Sequence, residues 1–308
     1  MDNSLSAKKK KYISMRTRDT IIMYCFLAPV IIGFIAFQLY PTVTTVVMSF
    51  FKWDVVKTRE FVGLGNFVRM FTADRWFYIS VRVTLIYTVS SVALTLIVGF
   101  ILASMLSQQR KSVGVFRTIF YIPCMIAGGA PTMMVWFYIF SADGMLNTML
   151  KNVGIIGPNW LMDQTYALPA FIIMSAWGVG GSMLIFIAGL KSIPDEYYES
   201  ADIDGAGYFR KLFGITIPVL TPTILYNLIM GIIGALQTFV QAYVLTKGGP
   251  QGATTFFALH IYNQAFQNTA FGYASSLAFV LFISIMVLTY LIFKTSARWV
   301  FYGDGVNR

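Results

Sequence analysis

The residues best suited to chemistry form a stripe in an otherwise apolar stretch. Asn227, Gly231, Gly234, Thr238 and Gln241 recur at i, i+4, i+7, i+11 and i+14, which puts them on one helical face. Gln237 and Tyr243 lie nearby. Amide and hydroxyl groups beside an aromatic ring suit a neutral, polyhydroxylated molecule such as a sugar. The same spacing also serves hydrogen bonding and small-residue packing between membrane helices. The chemistry on offer is binding, not bond-breaking. No nucleophile is paired with a base. Each lysine followed by Ser or Thr (Lys57, Lys111, Lys191, Lys294) lacks the preceding glycine of a phosphate loop. Cys25 and Cys124 sit singly in apolar segments and read as small hydrophobes, not as metal ligands or a disulfide. No catalytic residue, no metal site and no cofactor of the chain's own are expected.

A second pattern is polar. Residues 194–218, PDEYYESADIDGAGYFRKLFGITIP, form an acidic island between two long apolar segments. Pro194 suits the first position of a helix, where its missing N–H is an orphan in any case. Asp195 and Glu196 follow in the first turn, where they favour the positive end of the helix dipole. Pro194, Tyr197, Tyr198, Ala201 and Gly205 share one face, while Asp195, Glu196, Glu199 and Asp202 take much of the rest. Asp204-Gly205 favours a turn, because glycine reaches positive φ without steric cost. Phe209, Leu212 and Phe213 make a second short apolar face leading to Pro218. The expected product is a helix–turn–helix finger. Helices lying on lipid usually carry basic residues on the polar face, so an acidic face with two tyrosines points instead to docking on a protein.

Both patterns need elements to hold them. The chain has 308 residues, of which 57% are hydrophobic and 12% charged, about half the charged share of a soluble domain. Six windows, roughly 21–40, 83–106, 118–140, 168–190, 217–243 and 274–293, contain no Asp, Glu, Lys or Arg. Each approximates the ~20 apolar residues that span a bilayer. Continuous runs specify helices and not barrel strands. The expected fold is an all-α, polytopic membrane protein with six transmembrane helices. The net charge of +10 is then topological. With the N-terminus inside, most Lys and Arg fall on the cytoplasmic side, so both termini are cytoplasmic. This placement removes the case for nucleic-acid binding. The Lys8–Lys11 cluster serves orientation or contact with anionic lipid. The first apolar run is too long for a cleaved signal and counts as the first membrane helix.

Along the chain, residues 1–20 form a basic cytoplasmic tail, 21–293 the six-helix membrane domain and 294–308 a short cytoplasmic tail. The first helix is expected to end near Tyr40-Pro41. Residues 41–81 are the longest outer connection, with an amphipathic stretch from Phe67 to Phe71 and with Trp53, Trp76 and Tyr78 suited to the interface. Pro123 and Gly128-Gly129-Ala130-Pro131 mark a hinge or close packing inside the third helix. Segments 141–167 and 244–273 are outer loops, and the only histidine, His260, falls in the second.

The acidic island resembles the EAA loop of ABC importer permeases: Glu-Ala-Ala, three residues, Gly, nine residues, Ile-x-Leu-Pro. Glu199, Ala201, Gly205, Ile215 and Pro218 match at that spacing, with Ser200 for the second motif residue and Ile217 for the leucine. The longer frame from Ile193 to Gly207 is similar to the carbohydrate-uptake branch, as are Phe61-Val-Gly-Leu-Gly-Asn-Phe67, Phe116-Arg-Thr118, Val244-Leu-Thr-Lys-Gly-Gly-Pro250 and Phe271-Gly-Tyr-Ala-Ser275. The resemblance covers nearly the whole chain, to the subunit type typified by the first permease of maltose or lactose importers.

The resemblance implies a type I ABC importer transmembrane domain in a bacterial or archaeal cell membrane. It implies half of a sugar pathway, formed as a heterodimer with a second permease. Two cytoplasmic ATPase subunits would bind ATP and magnesium, and an extracellular or periplasmic solute-binding protein would deliver the sugar. Glu199, Ala201, Asp204, Gly205, Tyr197, Tyr198 and Pro218 would couple to the ATPase. Gapless alignment from the motif puts the sugar-lining positions of maltose-type permeases at Trp177, Gly178, Gly181, Gly231 and Ala235. With the stripe Asn227, Gln237, Thr238 and Gln241 these make up the candidate path. Thr246, Lys247, Gly248, Gly249 and Pro250 would face the binding protein. An ion-coupled secondary carrier and a non-transporting membrane scaffold are the alternatives. The absence of ionisable groups in the membrane windows argues against the first, and the lack of membrane Lys or Arg disfavours acidic substrates.

Overall fold

The computed structural model describes residues 15–54, 59–108, 113–126 and 129–301. The Lys8–Lys11 cluster, most of the 1–20 tail, Lys57, Lys111, Gly128 and residues 302–308 lie outside them. Helices dominate, and the all-α expectation holds. Among the described residues, five helices are long and apolar enough to cross a membrane, and a bent pair makes a sixth when taken as one span.

The first rod is longer than the sequence suggested. Helix α1 (Met15–Phe34) passes through a π turn at Ile35–Leu39 into α2 (Tyr40–Met48). The rod does not end at Pro41, because the wider turn lets the Tyr40 N–H reach the Ile35 carbonyl. That accommodates a proline that brings no donor and crowds the carbonyl one turn back. The hydroxyls of Thr42, Thr44 and Thr45 donate to the Gln38, Tyr40 and Pro41 carbonyls at 2.7–2.8 Å. Along α1 and the π turn the large apolar side chains are exposed, whereas α2 packs on α16.

The outer connection holds a small antiparallel ribbon absent from the all-helical expectation: β1 (Phe51–Lys52) pairs with β2 (Glu60–Phe61). Helix α3 (Gly65–Thr72) follows with Met70 fully buried and Val68 and Phe71 exposed. Helix α4 (Arg75–Leu106) has 32 residues, or about 48 Å at 1.5 Å per residue, against a hydrocarbon core of about 30 Å. It is therefore longer than that core is thick, and its first turns carry charge. Arg75 and Arg82 hid those turns from the charge-free window.

The window 118–140 is not one straight helix. Helix α5 (Val113–Ile126) and helix α6 (Ala130–Phe140) are separated, and the chain bends by 106° across the break. Gly129 is the N-cap of α6, Pro131 lies in its first turn, and the Thr132 hydroxyl donates to the Ile126 carbonyl at 2.8 Å. Arg117 lies in α5 and donates to the Leu106 carbonyl at 2.6 and 2.9 Å. After α7 (Met145–Asn152), the fourth span combines α8 (Ala167–Ser175), a 3-10 turn at Ala176–Gly178 and α9 (Val179–Lys191).

The finger contains α10 (Asp195–Ile203), α11 (Tyr208–Lys211), a π turn at Leu212–Thr216 and α12 (Ile217–Val219), leading into α13 (Thr221–Leu236). Pro218 does not precede this helix but sits within the helical run, just after a π turn, as Pro41 does. The stripe's helix breaks at Gln237–Phe239 and resumes as α14 (Val240–Leu245). Helix α15 (Phe257–Tyr262), a π turn at Asn263–Gln267 and α16 (Phe271–Ser296) complete the chain.

Of four apolar clusters among the described residues, two lie between the spans that flank the cavity. Tyr87, Met133, Phe171, Met174 and Phe256 center one, and Ala103, Met183 and Phe186 the other. Helix α4 packs on α8, α9 and α13, and α5 packs on α9. That last contact needs Gly180, since a Cβ there would strike the Phe120 carbonyl.

Candidate functional site

A cavity of about 500 Å³ opens between α4, α6, the α8–α9 span and the α13–α14 span. From the expected path it gathers Trp177, Gly178, Asn227, Gly231, Ala235, Thr238 and Gln241, together with Gly234 of the stripe. The helix break at 237–239 does not disperse the stripe. Gly181 and Gln237 are outside the lining. The cavity face of α9 runs Gly178, Ser182, Ile185, a face that misses Gly181, and Gln237 caps the end of α13 just before the chain turns.

The cavity also recruits residues the sequence reading missed: Tyr87, Ser91, Thr95, Thr132, Trp136, Ser182 and Tyr226. Tyr87, Ser91 and Thr95 stand at i, i+4 and i+8 in an apolar helix, a signal open to the same argument as the stripe. Trp136 meets Trp177 edge-on at 5.5 Å and stacks on Phe140 at 5.3 Å. No lining side chain among the described residues is charged. In the wall, the hydroxyl of Ser182 and the amide oxygen of Gln241 are buried with no hydrogen-bond partner among the described residues. Each such orphan costs about 1–3 kcal/mol, which a hydroxylated guest or water relieves. Tyr226 and Met230 at the rim are half exposed, so the cavity opens onto the surface of the chain.

The finger is built locally. Pro194 is the N-cap of α10 (φ −62°, ψ 136°), not its first helical residue. At the other end the Ala206 N–H donates to the Ala201 carbonyl at 2.9 Å and the Gly205 N–H to the Asp202 carbonyl at 3.0 Å. Gly205 has φ +66°. This is a Schellman cap, which wants glycine at that one position. Asp202 pairs with Lys211 inside the finger and so is not free for a partner. Glu199 and Asp204 are exposed and lack an ion pair among the described residues. The Tyr198 hydroxyl and Thr216 Oγ1 are hydrogen-bonded at 2.9 Å. Tyr197, Ser200, Ile215, Pro218 and Phe301 line an apolar groove of about 300 Å³ beside the finger. Phe209 and Phe213 lie in the open instead of packing back onto the bundle.

At the far end of the bundle is a junction that the sequence did not reveal. His260 is not in a loop; it lies in α15, 3% exposed. Its Nε2 is 2.8 Å from Asp74 Oδ2, which also accepts from the Tyr273 hydroxyl at 2.6 Å. Asp74 Oδ1 accepts from the Trp76 and Phe77 N–H groups at 2.9 and 3.2 Å, capping α4. Burial pushes the Asp74 carboxyl up. The hydrogen bonds from Tyr273 and His260, the His260 charge and the Phe77 N–H outweigh burial and hold it below the usual carboxylate value. An Asp just before a long apolar run is a helix-start signal, but nothing local ties it to residues 260 and 273.

Thr246 to Pro250 form a tight turn. Thr246 Oγ1 and Thr254 Oγ1 are 2.6 Å apart, Thr254 donates to the Gly249 carbonyl at 2.6 Å and Thr255 to the Gly248 carbonyl at 3.0 Å. Gly248 is buried and Lys247 is exposed.

Comparison with known proteins bears on this arrangement. The family described as binding-protein-dependent transport system inner membrane component matches residues 95–301. The probable ABC transporter permease protein YesP of Bacillus subtilis (strain 168) is 39% identical, over 95% of this chain and 96% of its own length. The lactose transport system permease protein LacF of Rhizobium radiobacter is 34% identical, over 88% and 92%. A chain in the crystal structure of a bacterial alginate ABC transporter, in complex with an alginate pentasaccharide-bound periplasmic protein, shares the fold with a TM-score of 0.79. It is 22% identical, over 91% of this chain and 96% of its own.

Proposed function

The chain belongs to the family of binding-protein-dependent transport system inner membrane components, and from that premise we propose how it works as the permease subunit of an ATP-driven carbohydrate importer. Relatives named for lactose and for trehalose and maltose transport favour a sugar cargo. So does a neutral cavity lined by hydroxyls, amides and two tryptophans. Aromatic faces with a few placed polar groups are what a sugar-sized pocket uses. The open side calls for a second permease to close the path. With both termini in the cytoplasm, the finger faces the cytoplasmic ATPases, which hold ATP and magnesium. The Asp74 end and the Thr246–Pro250 turn face the solute-binding protein.

One observation carries the mechanism. The two helices that flank the finger both line the cavity: α9 lines it at Ser182 and Ile185 and ends at Lys191, three residues before Pro194, and α13 runs from Thr221, three residues after Pro218, to the cavity at Asn227, Gly231 and Ala235. A push on the finger therefore displaces two cavity walls. ATP-driven closure of the ATPase pair acts on the finger through its exposed acidic face and apolar groove, and the cavity changes access. The test is sugar uptake into liposomes holding the assembled transporter with and without ATP. The wild type takes up sugar only with ATP; Glu199→Lys inserts normally but loses uptake and ATPase retention. Uptake by the lone chain on an ion gradient overturns the reading.

A further inference from the structure

Helix α16 lines no part of the cavity, and its buried residues lie at its two ends: Gly272, Tyr273, Ala274, Ser276 and Leu277 at the start, Ser296 at the last position. Both ends are bonded to other segments. At the start, the Tyr273 hydroxyl donates to Asp74 Oδ2 at 2.6 Å and the Gly272 N–H to the Trp53 carbonyl at 3.2 Å. After Ser296 the chain folds back as a hook, residues 297–301. The Ser296 carbonyl accepts from the Trp299 and Val300 N–H groups at 3.1 and 2.8 Å. Val300 is buried in a cluster with Leu225 and Ile229 of α13. The Phe301 N–H donates to Thr221 Oγ1 at 2.8 Å, and that hydroxyl donates in turn to the Pro218 carbonyl at 2.6 Å. Phe301 also lines the groove that holds Tyr197 and Ser200 of α10. The hook therefore meets the finger on both sides, at the entry to α13 and at the groove beside α10.

We propose that this hook makes α16 a second line of transmission, by which the finger and the Asp74 end of the bundle sense one another without passing through the cavity. Thr221 is the positioning residue at its joint. The inference rests on the importer reading, with ATPases at the finger and a solute-binding protein at the Asp74 end, and adds a route that reading does not need. Tyr273 and Ser296 are 23 residues apart in one helix, about 35 Å along its axis. Each turn of such a helix is bonded to the next, so tilt or rotation at one end reaches the other. No residue from 278 to 295 is buried, which leaves the helix gripped most firmly at its ends. A plain helix stop needs only the bonds to the Ser296 carbonyl. The further bonds from Phe301 to Thr221 and from Thr221 to Pro218 tie α16 to the run that carries the finger. Such coupling is reciprocal: the state of the ATPases is felt at the Asp74 end, and docking at that end is felt at the finger.

The test uses the assembled transporter in liposomes and reads how far its solute-binding protein raises ATP hydrolysis above the level without it. The binding protein is loaded from partial hydrolysates of starch, pectin and alginate, and the one that stimulates the wild type is used. Thr221→Val keeps the volume and deletes the hydroxyl. It should lower the stimulation by about fivefold, the value of one hydrogen bond, with unstimulated hydrolysis and ATPase retention as in the wild type. Thr221→Ser keeps the hydroxyl and should restore it. A chain ending at Trp299 lacks the tip of the hook and should behave as Thr221→Val does. Tyr273→Phe cuts the other end, at a side chain only 3% exposed. Sites this far apart normally act independently, so separate losses would multiply to about twenty-five-fold in the double variant. A shared line loses no more than the larger single effect. Multiplied losses, a loss that Thr221→Ser does not restore, or a lower unfolding midpoint with unchanged stimulation overturns the hook and leaves it a helix stop. If the wild type is stimulated and every variant equals it, the line alone falls. If no loaded binding protein stimulates the wild type, the importer reading falls with it.

Discussion

At one end of the bundle Asp74 accepts four hydrogen bonds in a site where its side chain is 8% exposed. At the other, the finger leaves Ile203, Phe209 and Phe213 in the open, and among the described residues the Tyr198–Thr216 hydrogen bond and the Asp202–Lys211 pair tie its first helix to the run that becomes α13. The first region is closed on itself. The second is unfinished, with apolar and acidic groups that a second surface has to cover. Under the proposed function this is the expected division: the finger would follow a partner, while the Asp74 junction would keep α4, α15 and α16 in register.

The comparison breaks most plainly at Asp74. Asp74→Ala removes a buried acceptor from His260, Tyr273 and the start of α4, at a cost of about 3–5 kcal/mol. Thermal unfolding of the purified protein should show it as a large fall in midpoint, with no selective loss of ATPase binding. Acid acts through the same group. The native carboxyl is more acidic than in the unfolded chain. Its stabilisation is therefore fully present above the usual carboxylate value and is lost as pH falls through the lower native value. The gap in unfolding midpoint between wild type and Asp74→Asn should hold at neutral pH and shrink below about pH 4. A pH-independent gap contradicts the network.

The finger should respond in the opposite way. Gly205→Pro fixes φ near −65° where the turn needs +66°, and removes the N–H that closes the cap on Asp202. Retention of the ATPase should fall by about thirtyfold or more, the scale of a lost interface anchor, while the unfolding midpoint moves little. A midpoint loss as large as that of Asp74→Ala would show that the finger is part of the core and not a free handle.

These contrasts follow from how far apart the interacting residues lie in sequence. The finger was legible because every contact that shapes it is local: the apolar period, the Gly205 cap and the flanking apolar runs lie within 25 residues. The cavity was half legible. The stripe on α13 and α14 repeats at helical spacing, whereas Tyr87, Trp136 and Ser182 reach it only through packing of three other segments. The junction was invisible, since Asp74 lies 186 residues from His260 and 199 from Tyr273. The first helix's end failed where proline was read as a stop: at Pro41 a preceding π turn carries the helix through.

The cavity tests the middle of the comparison. Gln241→Leu removes a buried amide whose oxygen has no partner, and replacing an unpaired polar group with an apolar one of similar shape is neutral or stabilising. The unfolding midpoint should hold or rise while the KM for sugar uptake increases by about five- to tenfold, the value of one hydrogen bond to a ligand. A fall in midpoint with unchanged KM would make Gln241 a packing residue.

The smallest effect belongs to Tyr198→Phe. The ring stays, and only the hydroxyl that meets Thr216 Oγ1 at 2.9 Å is removed. Thr216 keeps its own bond to the Lys211 carbonyl at 3.3 Å, so no buried group is orphaned, and the loss is about 1 kcal/mol. Because this bond spans from α10 to the π turn that feeds α13, its loss should loosen transmission more than stability. ATPase retention should persist, and the sugar taken up per ATP hydrolysed should fall by about twofold or more on the same scale. An unchanged ratio would place transmission in the Asp202–Lys211 pair and the backbone run from α11 to α13, and would leave the Tyr198 contact no part in coupling the free end of the molecule to its cavity.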